Sequence, residues 1–408
     1  MPRSFVPAPP PASASGAVAG STENRSCRGA AEVLAFTLVG LVLTAASASA
    51  YRPSHGFLPG GTSTCDLHVP ITLEVPPNAA PVPDPAQGDF SHGFYHLEEI
   101  SDSLFYVTEG VYQALVLVDP RGLIVVDAPP SIGQNPADPS SSVSFLDVVY
   151  SIPQAAGKAI RKLVYSHSHV DHIGAASLIR DAFPEVEIIA HHQTFRQLRR
   201  GTGGPGPFLP GSGTLPPPLP TRIFFQGHRV HLGHQTLALR YFGPIHEPGN
   251  IFILAPRQRV LMLVDVIFPG WSPFNDLALA EDAPAFLEAH DRVLSFDFDT
   301  FVGGHLNRLG RREDVEAAKR YMDDIRANAI AALSDPALFQ IFALVPRNAL
   351  GAFNIYLDQV ACRCANLTLD PARTPSGEDW LGLLGAADIN TLSHCWQVAE
   401  GLRIDPAF

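Results

Sequence analysis

The apolar positions of this chain fall into short runs up to about residue 305 and into helical repeats after it. Runs at 103–108, 114–118 and 123–126 are rich in β-branched and aromatic residues and predict three strands that open a sheet. Residues 145–152 then read as helix, 163–165 as strand, 173–183 as helix and 186–190 as strand. Further strand-like runs lie at 236–241, 251–254, 260–264 and 300–304. This alternation predicts an α/β protein in which two sheets are covered by helices. From 311 to 333 the pattern becomes a long amphipathic helix, with Glu313, Asp314 and Glu316 in the first turns, where acids favour the positive end of the dipole. Runs at 349–365 and 389–402 predict further helices, so 309–408 is expected to be a helical region packed on the core or serving in dimerisation. Two stretches lack periodicity. Residues 51–93 are Pro-rich and read as an extended segment draped over the domain, and 201–220 is a Gly/Pro-rich loop.

Composition adds to this mainly at the chain start. At 408 residues, 46% hydrophobic and 17% charged, the chain can bury a full core and more than one domain. The formal charge of −12 disfavours nucleic acid, whose binding leaves a basic footprint, and a small-molecule substrate is expected instead. Within residues 1–50, Arg3, Arg25 and Arg28 precede an apolar run at 33–46 and the ending Ser-Ala-Ser-Ala50, a small-residue pattern that signal peptidases accept. This predicts export with cleavage after Ala50. The same region, rich in Ser and Arg with only Glu23 and Glu32 as acids, also suits an organelle-targeting leader. An uncleaved apolar run would be a membrane anchor. Removing the leader deletes Cys27 and leaves Cys65, Cys362, Cys364 and Cys395, which an oxidising compartment can join as two disulfides of unspecified pairing. Asn366-Leu-Thr368 is a glycosylation sequon.

The chemistry concentrates in Tyr165-Ser-His-Ser-His-Val-Asp-His-Ile-Gly174, which places three imidazoles and a carboxylate between His167 and His172. Just past a strand end, His167 and His169 project to the same side and can grip one cation. Asp171 and His172 fall where the chain turns toward a helix and face a second position. Zinc prefers four ligands and a catalytic site leaves one position open, so more donors are needed. Three stand at strand ends. His246 lies in the turn-rich Tyr241-Phe-Gly-Pro-Ile-His-Glu-Pro-Gly-Asn250, Asp265 ends the run 260–264, and His305 follows Thr300-Phe-Val-Gly-Gly304, whose glycines allow close backbone approach. His191 and His192 also follow a strand end and read as surface or supporting imidazoles. Asp127 reads as a turn or supporting carboxylate, and Trp271, in Phe268-Pro-Gly-Trp-Ser-Pro-Phe274, is the first choice for substrate contact.

The series His-x-His-x-Asp-His, then His, Asp and His, each after an apolar strand, resembles the metallo-β-lactamase superfamily of hydrolases over residues 96–308. The resemblance implies the αββα sandwich of that fold, preceded by the segment 51–95 and followed by the helical region 309–408. It implies one metal held by His167, His169 and His246, a second held by Asp171, His172 and His305, and Asp265 bridging the two. Asp127 would support the site from outside the ligand shell. A bridging Asp marks the glyoxalase II, lactonase and esterase branches and argues against antibiotic hydrolysis. The implied activity is that of a dinuclear hydrolase, with zinc as the expected metal. Two cations about 3.5 to 4 Å apart share a water as a bridging hydroxide that attacks an ester, thioester or lactone carbonyl, and Asp171 relays its proton to the leaving group. In glyoxalase II a helical region behind the core binds glutathione, but no Arg/Lys cluster here supports that role. Alternatives on the same scaffold are a single-iron, persulfide dioxygenase-like oxidoreductase and a β-lactamase or sulfatase-type hydrolase. His169 stands where flavodiiron relatives carry Glu.

Overall fold

A computed structural model describes residues 65–72, 74–81, 90–200, 216–344 and 347–404. All of them belong to one compact unit, Leu43–Phe408. The expected leader at 1–50 and most of the 201–220 loop lie outside the described residues.

Two sheets face each other. The first contains β1 (His96–Ser101), β2 (Leu104–Thr108), β3 (Gln113–Asp119), β4 (Gly122–Val126), β5 (Ile160–Val164), β6 (Glu187–His191) and β7 (Arg222–Phe224), hydrogen-bonded in that order. β1 to β4 are antiparallel, and β4 to β7 run parallel. The second sheet follows, with β8 (Gly227–Leu232), β9 (Gln235–Arg240), β10 (Phe252–Ala255), β11 (Val260–Met262) and β12 (Thr300–Val302) in the order 12-11-10-9-8. Every residue of β2, β3 and β4 is buried, because both faces of the sheet are covered. Leu115, Leu117, Ile124 and Val126 point inward against Leu237, Leu239, Ile253 and Met262 of the second sheet. Their neighbours Val116 and Val125 point outward, as the two-residue repeat of a strand requires.

The outer face of the first sheet is covered by α1 (Phe145–Tyr150), α3 (Ala176–Ala182) and α4 (His192–Arg199), with the short α2 (Val170–Ile173) between α1 and α3 in the chain. The single helix expected at 173–183 is thus two. It breaks at Ala175, whose N–H donates to the Ala128 carbonyl at 2.9 Å instead of continuing the helix. Ser144 caps α1 in a reciprocal pair with Asp147.

The second sheet is covered by α5 (Asn275–Leu279), α6 (Ala283–Leu294), α7 (Arg312–Leu333), α8 (Ile341–Leu344), α9 (Ala349–Thr368), α10 (Trp380–Leu383) and α11 (Ala387–Ile404). Phe252, Leu261 and Phe301 of the sheet share a core with Phe286, Tyr321, Val360 and Val398 of these helices. The helical region after the core is therefore as expected. α5 is unusual: Asp276, Leu277, Ala278 and Leu279 all have left-handed backbone, with φ between 51° and 59°, a conformation that costs an L-residue about 1–2 kcal/mol.

Two disulfides, Cys65–Cys362 and Cys364–Cys395, tie the start of the described chain to α9 and α9 to α11. The segment that includes Cys65 runs against the C-terminal helices. Thr72 N–H donates to Asp388 and Asn78 Nδ2 to the Leu383 carbonyl. Asn366 accepts from His68 N–H at 2.7 Å and donates to the Asp66 carbonyl at 3.0 Å, and Thr368 of the same sequon is buried. Among the described residues, no helix is long and apolar enough to cross a membrane.

Candidate metal centre

Chain ends of strands from both sheets deliver the polar residues to one place. His167 lies three residues past β5, its Nδ1 2.9 Å from the Ser166 hydroxyl. Ser166 N–H in turn donates to Asp127 Oδ1 at 2.8 Å, so Asp127, just after β4 at φ 61°, acts on the cluster through Ser166. His169 is the N-cap of α2, which carries Asp171 and His172 in its single turn. His246 sits between β9 and β10, its carbonyl accepting from Glu281 N–H at 3.1 Å. Asp265, past β11 with φ 64°, donates its N–H to the Gly303 carbonyl at 3.1 Å. His305 follows Gly304, where φ is 86° and an added Cβ would meet Val264 at 2.5 Å, so glycine is required there.

Asp265 is the hub. Its Oδ2 lies 3.2 Å from His167 Nε2, 3.3 Å from His172 Nε2 and 3.1 Å from His246 Nε2, while Oδ1 lies 2.7 Å from His305 Nε2. His169 Nδ1 is 3.0 Å from His246 Nε2, and His172 Nε2 is 3.2 Å from His305 Nε2. The donors fall into two groups, His167/His169/His246/Asp265 and Asp171/His172/His305, with ligand atoms in each within 4.8 Å of one another. His167, His172, His246 and Asp265 are buried, whereas His169, Asp171 and His305 are half-buried and mark the open side.

Electrostatics fit a cation between these groups. Burial would raise the Asp265 carboxyl, but the imidazoles of His172, His305 and His246 together hold it well below the usual carboxylate range. Burial pushes His167 well below an ordinary imidazole and His169 down to about 4, so both present lone pairs. Burial also opposes charge on His172, but Asp265 and Asp171 outweigh it and raise that imidazole to about 10. His167 Nε2 and Asp265 Oδ1 are buried without hydrogen-bond geometry to any neighbour. Converging imidazole and carboxylate donors with unmatched lone pairs suit divalent metal ions.

Tyr112 and Gln113 carried no signal in the sequence, whereas Phe268 and Phe274 belong to the aromatic segment expected beside the site. The Tyr112 ring lies 4.8 Å from that of His305 and 5.4 Å from that of His172, and its hydroxyl reaches Asp171. Gln113, fully buried, exchanges hydrogen bonds with Gly304 and donates to the Leu306 carbonyl, holding the backbone on both sides of His305. The rings of Phe268 and Phe274 lie 5.6 and 6.0 Å from His305. Trp271, expected to contact substrate, instead lays its ring over Gly385 and donates its indole N–H to the Ala79 carbonyl at 2.7 Å. His191 is buried, stacks on Tyr241 at 3.6 Å and has Nε2 2.7 Å from the Phe225 carbonyl.

The family model of the metallo-beta-lactamase superfamily matches residues 107–305, the stretch that holds all seven residues. These residues are a metallo-β-lactamase superfamily domain. The 2,4-dinitroanisole O-demethylase subunit alpha of Nocardioides sp. (strain JS1661) is 28% identical over 58% of this chain, and the match spans only 65% of that relative's length. The uncharacterized protein YobT of Bacillus subtilis (strain 168) is 20% identical over 43% of this chain and 82% of its own. Among solved structures, a metallo-beta-lactamase from Pontibacter korlensis is 16% identical, with a TM-score of 0.44 over 55% of this chain and 97% of that one. BJP-1, a subclass B3 metallo-beta-lactamase of Bradyrhizobium japonicum, is 21% identical, with a TM-score of 0.39 over 51% of this chain and 77% of that one.

Proposed function

We propose that the chain is a dinuclear metal-dependent hydrolase of an ester, thioester or lactone, exported to an oxidising compartment. The observation that carries this reading is the position of Asp265, one carboxylate within 3.3 Å of imidazoles from both donor groups. His167, His169 and His246 would hold one cation, Asp171, His172 and His305 the other, with Asp265 shared. When bound, two divalent cations, with zinc expected, lower the pKa of a water and polarise a carbonyl. The chain's own residues do the rest. Buried His167, His172 and His246 hold the donor set rigid, and Asp127 fixes the turn before it through Ser166. The half-buried Asp171 carboxylate is placed to hold a proton and pass it to the leaving oxygen or sulfur. The described cysteines all lie in disulfides, which leaves no thiol nucleophile among them and supports export.

A second reading, hydrolysis of an aryl methyl ether to a phenol and methanol, is favoured by the name of the 28% identical relative. Metal analysis of protein purified without added metal, with a panel of lactones, thioesters, aryl esters and aryl methyl ethers, separates these readings. We expect about two zinc per chain and hydrolysis that His169→Ala abolishes while far-UV circular dichroism is unchanged. One iron per chain with oxygen uptake, or full activity in His169→Ala, would refute the proposal.

A further inference from the structure

We propose that Phe274 lines a recess for an uncharged aryl group beside His305, and that the C-terminal helices serve to hold it there. This rests on the hydrolase reading above and names the substrate class. Tyr112, Phe268 and Phe274 bring three aromatic rings within 4.8 to 6.0 Å of the His305 ring, on the half-buried side of the cluster. Phe268 and Phe274 meet edge to face at 5.7 Å, an arrangement that leaves the face of one ring open to a third. Phe268 is buried, but Phe274 is 37% exposed, with Leu279 and Val111 exposed nearby in the chain to it and to Tyr112.

Charge narrows the class. The ion pairs of the seven-residue cluster all join His to Asp, and none includes Lys or Arg. Arg308, three residues beyond His305, is taken by Asp314 and Asn78. Phe268 and Phe274 present carbon-only rings beside His305, so an uncharged aromatic ring suits these walls best.

The placement of Phe274 is enforced from behind. It immediately precedes the left-handed turn of α5, four successive non-glycine residues in a conformation that L-residues seldom adopt more than singly. Strain of this kind persists only where surrounding contacts over-determine it, and it clusters at functional sites. Here the contacts come from α11. Buried His394 donates from Nε2 to the Phe274 carbonyl at 3.2 Å, with its Nδ1 3.1 Å from the Tyr321 hydroxyl of α7. Ser393 Oγ accepts from Asp276 N–H at 3.0 Å, and Ser272 N–H donates to the Gly385 carbonyl at 3.0 Å. The segment 272–276 is thus bound to the C-terminal region at successive positions.

The test compares phenyl and methyl esters of one acid, and in parallel follows the binding of benzamide and butyramide by saturation-transfer NMR, with zinc present and absent. We expect Phe274→Ala to lower kcat/KM for the phenyl ester about ten- to a hundredfold, the scale of one lost apolar contact, with the methyl ester nearly unchanged. Benzamide should bind the wild type, lose its signal in Phe274→Ala and regain it in Phe274→Tyr, while butyramide stays silent throughout. Ser393→Ala should give a smaller loss with the same selectivity for the aryl probe. If no ester is hydrolysed, the hydrolase reading fails and the benzamide arm alone decides the recess. Equal losses for both esters, or benzamide binding that is unchanged in Phe274→Ala, would overturn it.

Discussion

At the scale of single residues, the convergence of the seven polar residues was legible because each combines a metal-competent side chain with a position just past an apolar strand, and strand ends are where a sheet presents side chains to a shared edge. Gln113 carried no such signal. It is a lone amide at the start of a strand, and only the fold shows that it grips Gly304 and Leu306 around His305. Trp271 drew attention as a large aromatic near the site; its indole N–H donates to the Ala79 carbonyl, and it is Phe274 whose ring lies 6.0 Å from that of His305. Replacing Gln113 by Leu leaves buried backbone groups unmatched, at about 1–3 kcal/mol for each, and frees the backbone beside His305. On the proposed dinuclear reading, the expected outcome is metal content that falls from two per chain toward one after dialysis. Gln235 provides the control, a buried glutamine bonded to Asp102 and Val118 carbonyls away from the cluster. Gln235→Leu should lower the melting temperature and keep both metals, and a Gln113→Leu protein that also keeps both would show that the clamp has no bearing on the site.

At the scale of elements, strands that are largely buried were read well and the exposed edge strands β1 and β8 poorly. β2, β3 and β4 are continuous apolar runs, whereas β1, half-exposed and holding Glu98 and Glu99, and β8, with only Val230 buried, offer little hydrophobic pattern. The left-handed turn of α5 has no sequence signature at all, since none of its four residues is glycine. The long helices were read correctly because their apolar faces repeat over many turns. One of them carries a testable oddity. Asp358 of α9 is buried, and burial raises its carboxyl to about 6. A folded-state pKa above the unfolded one means that stability is greatest with the proton on, declines as pH rises through about 4 to 6 and stays reduced above that. Asp358→Asn should therefore stabilise the protein at pH 7, on the order of 1–2 kcal/mol, with the gain vanishing below about pH 4. Urea midpoints across this range measure it, and a gain that is constant with pH would exclude the charge as its cause.

At the scale of the whole molecule, each donor group draws residues from both sheets, and the helices behind the second sheet bond to the segment that carries Phe274. The even cysteine count pointed to disulfides, but their partners depended on which helices lie side by side, and that is set by packing. Cys65–Cys362 spans 297 positions of sequence and Cys364–Cys395 spans 31. Non-reducing peptide mapping should recover these two linkages, and reduction should destabilise the chain by about 2–4 kcal/mol for each bond. Recovery of a Cys362–Cys395 linkage would contradict which face of α9 meets α11.

The amide of Asn366 has a practical consequence for recombinant production. Its nitrogen, the atom that an oligosaccharyltransferase would derivatise, already donates to the Asp66 carbonyl, while its oxygen accepts from His68 N–H. A sugar chain attached there during synthesis would deny that segment its berth beside the helix, so bacterial periplasmic expression suits this protein better than secretion from yeast or insect cells.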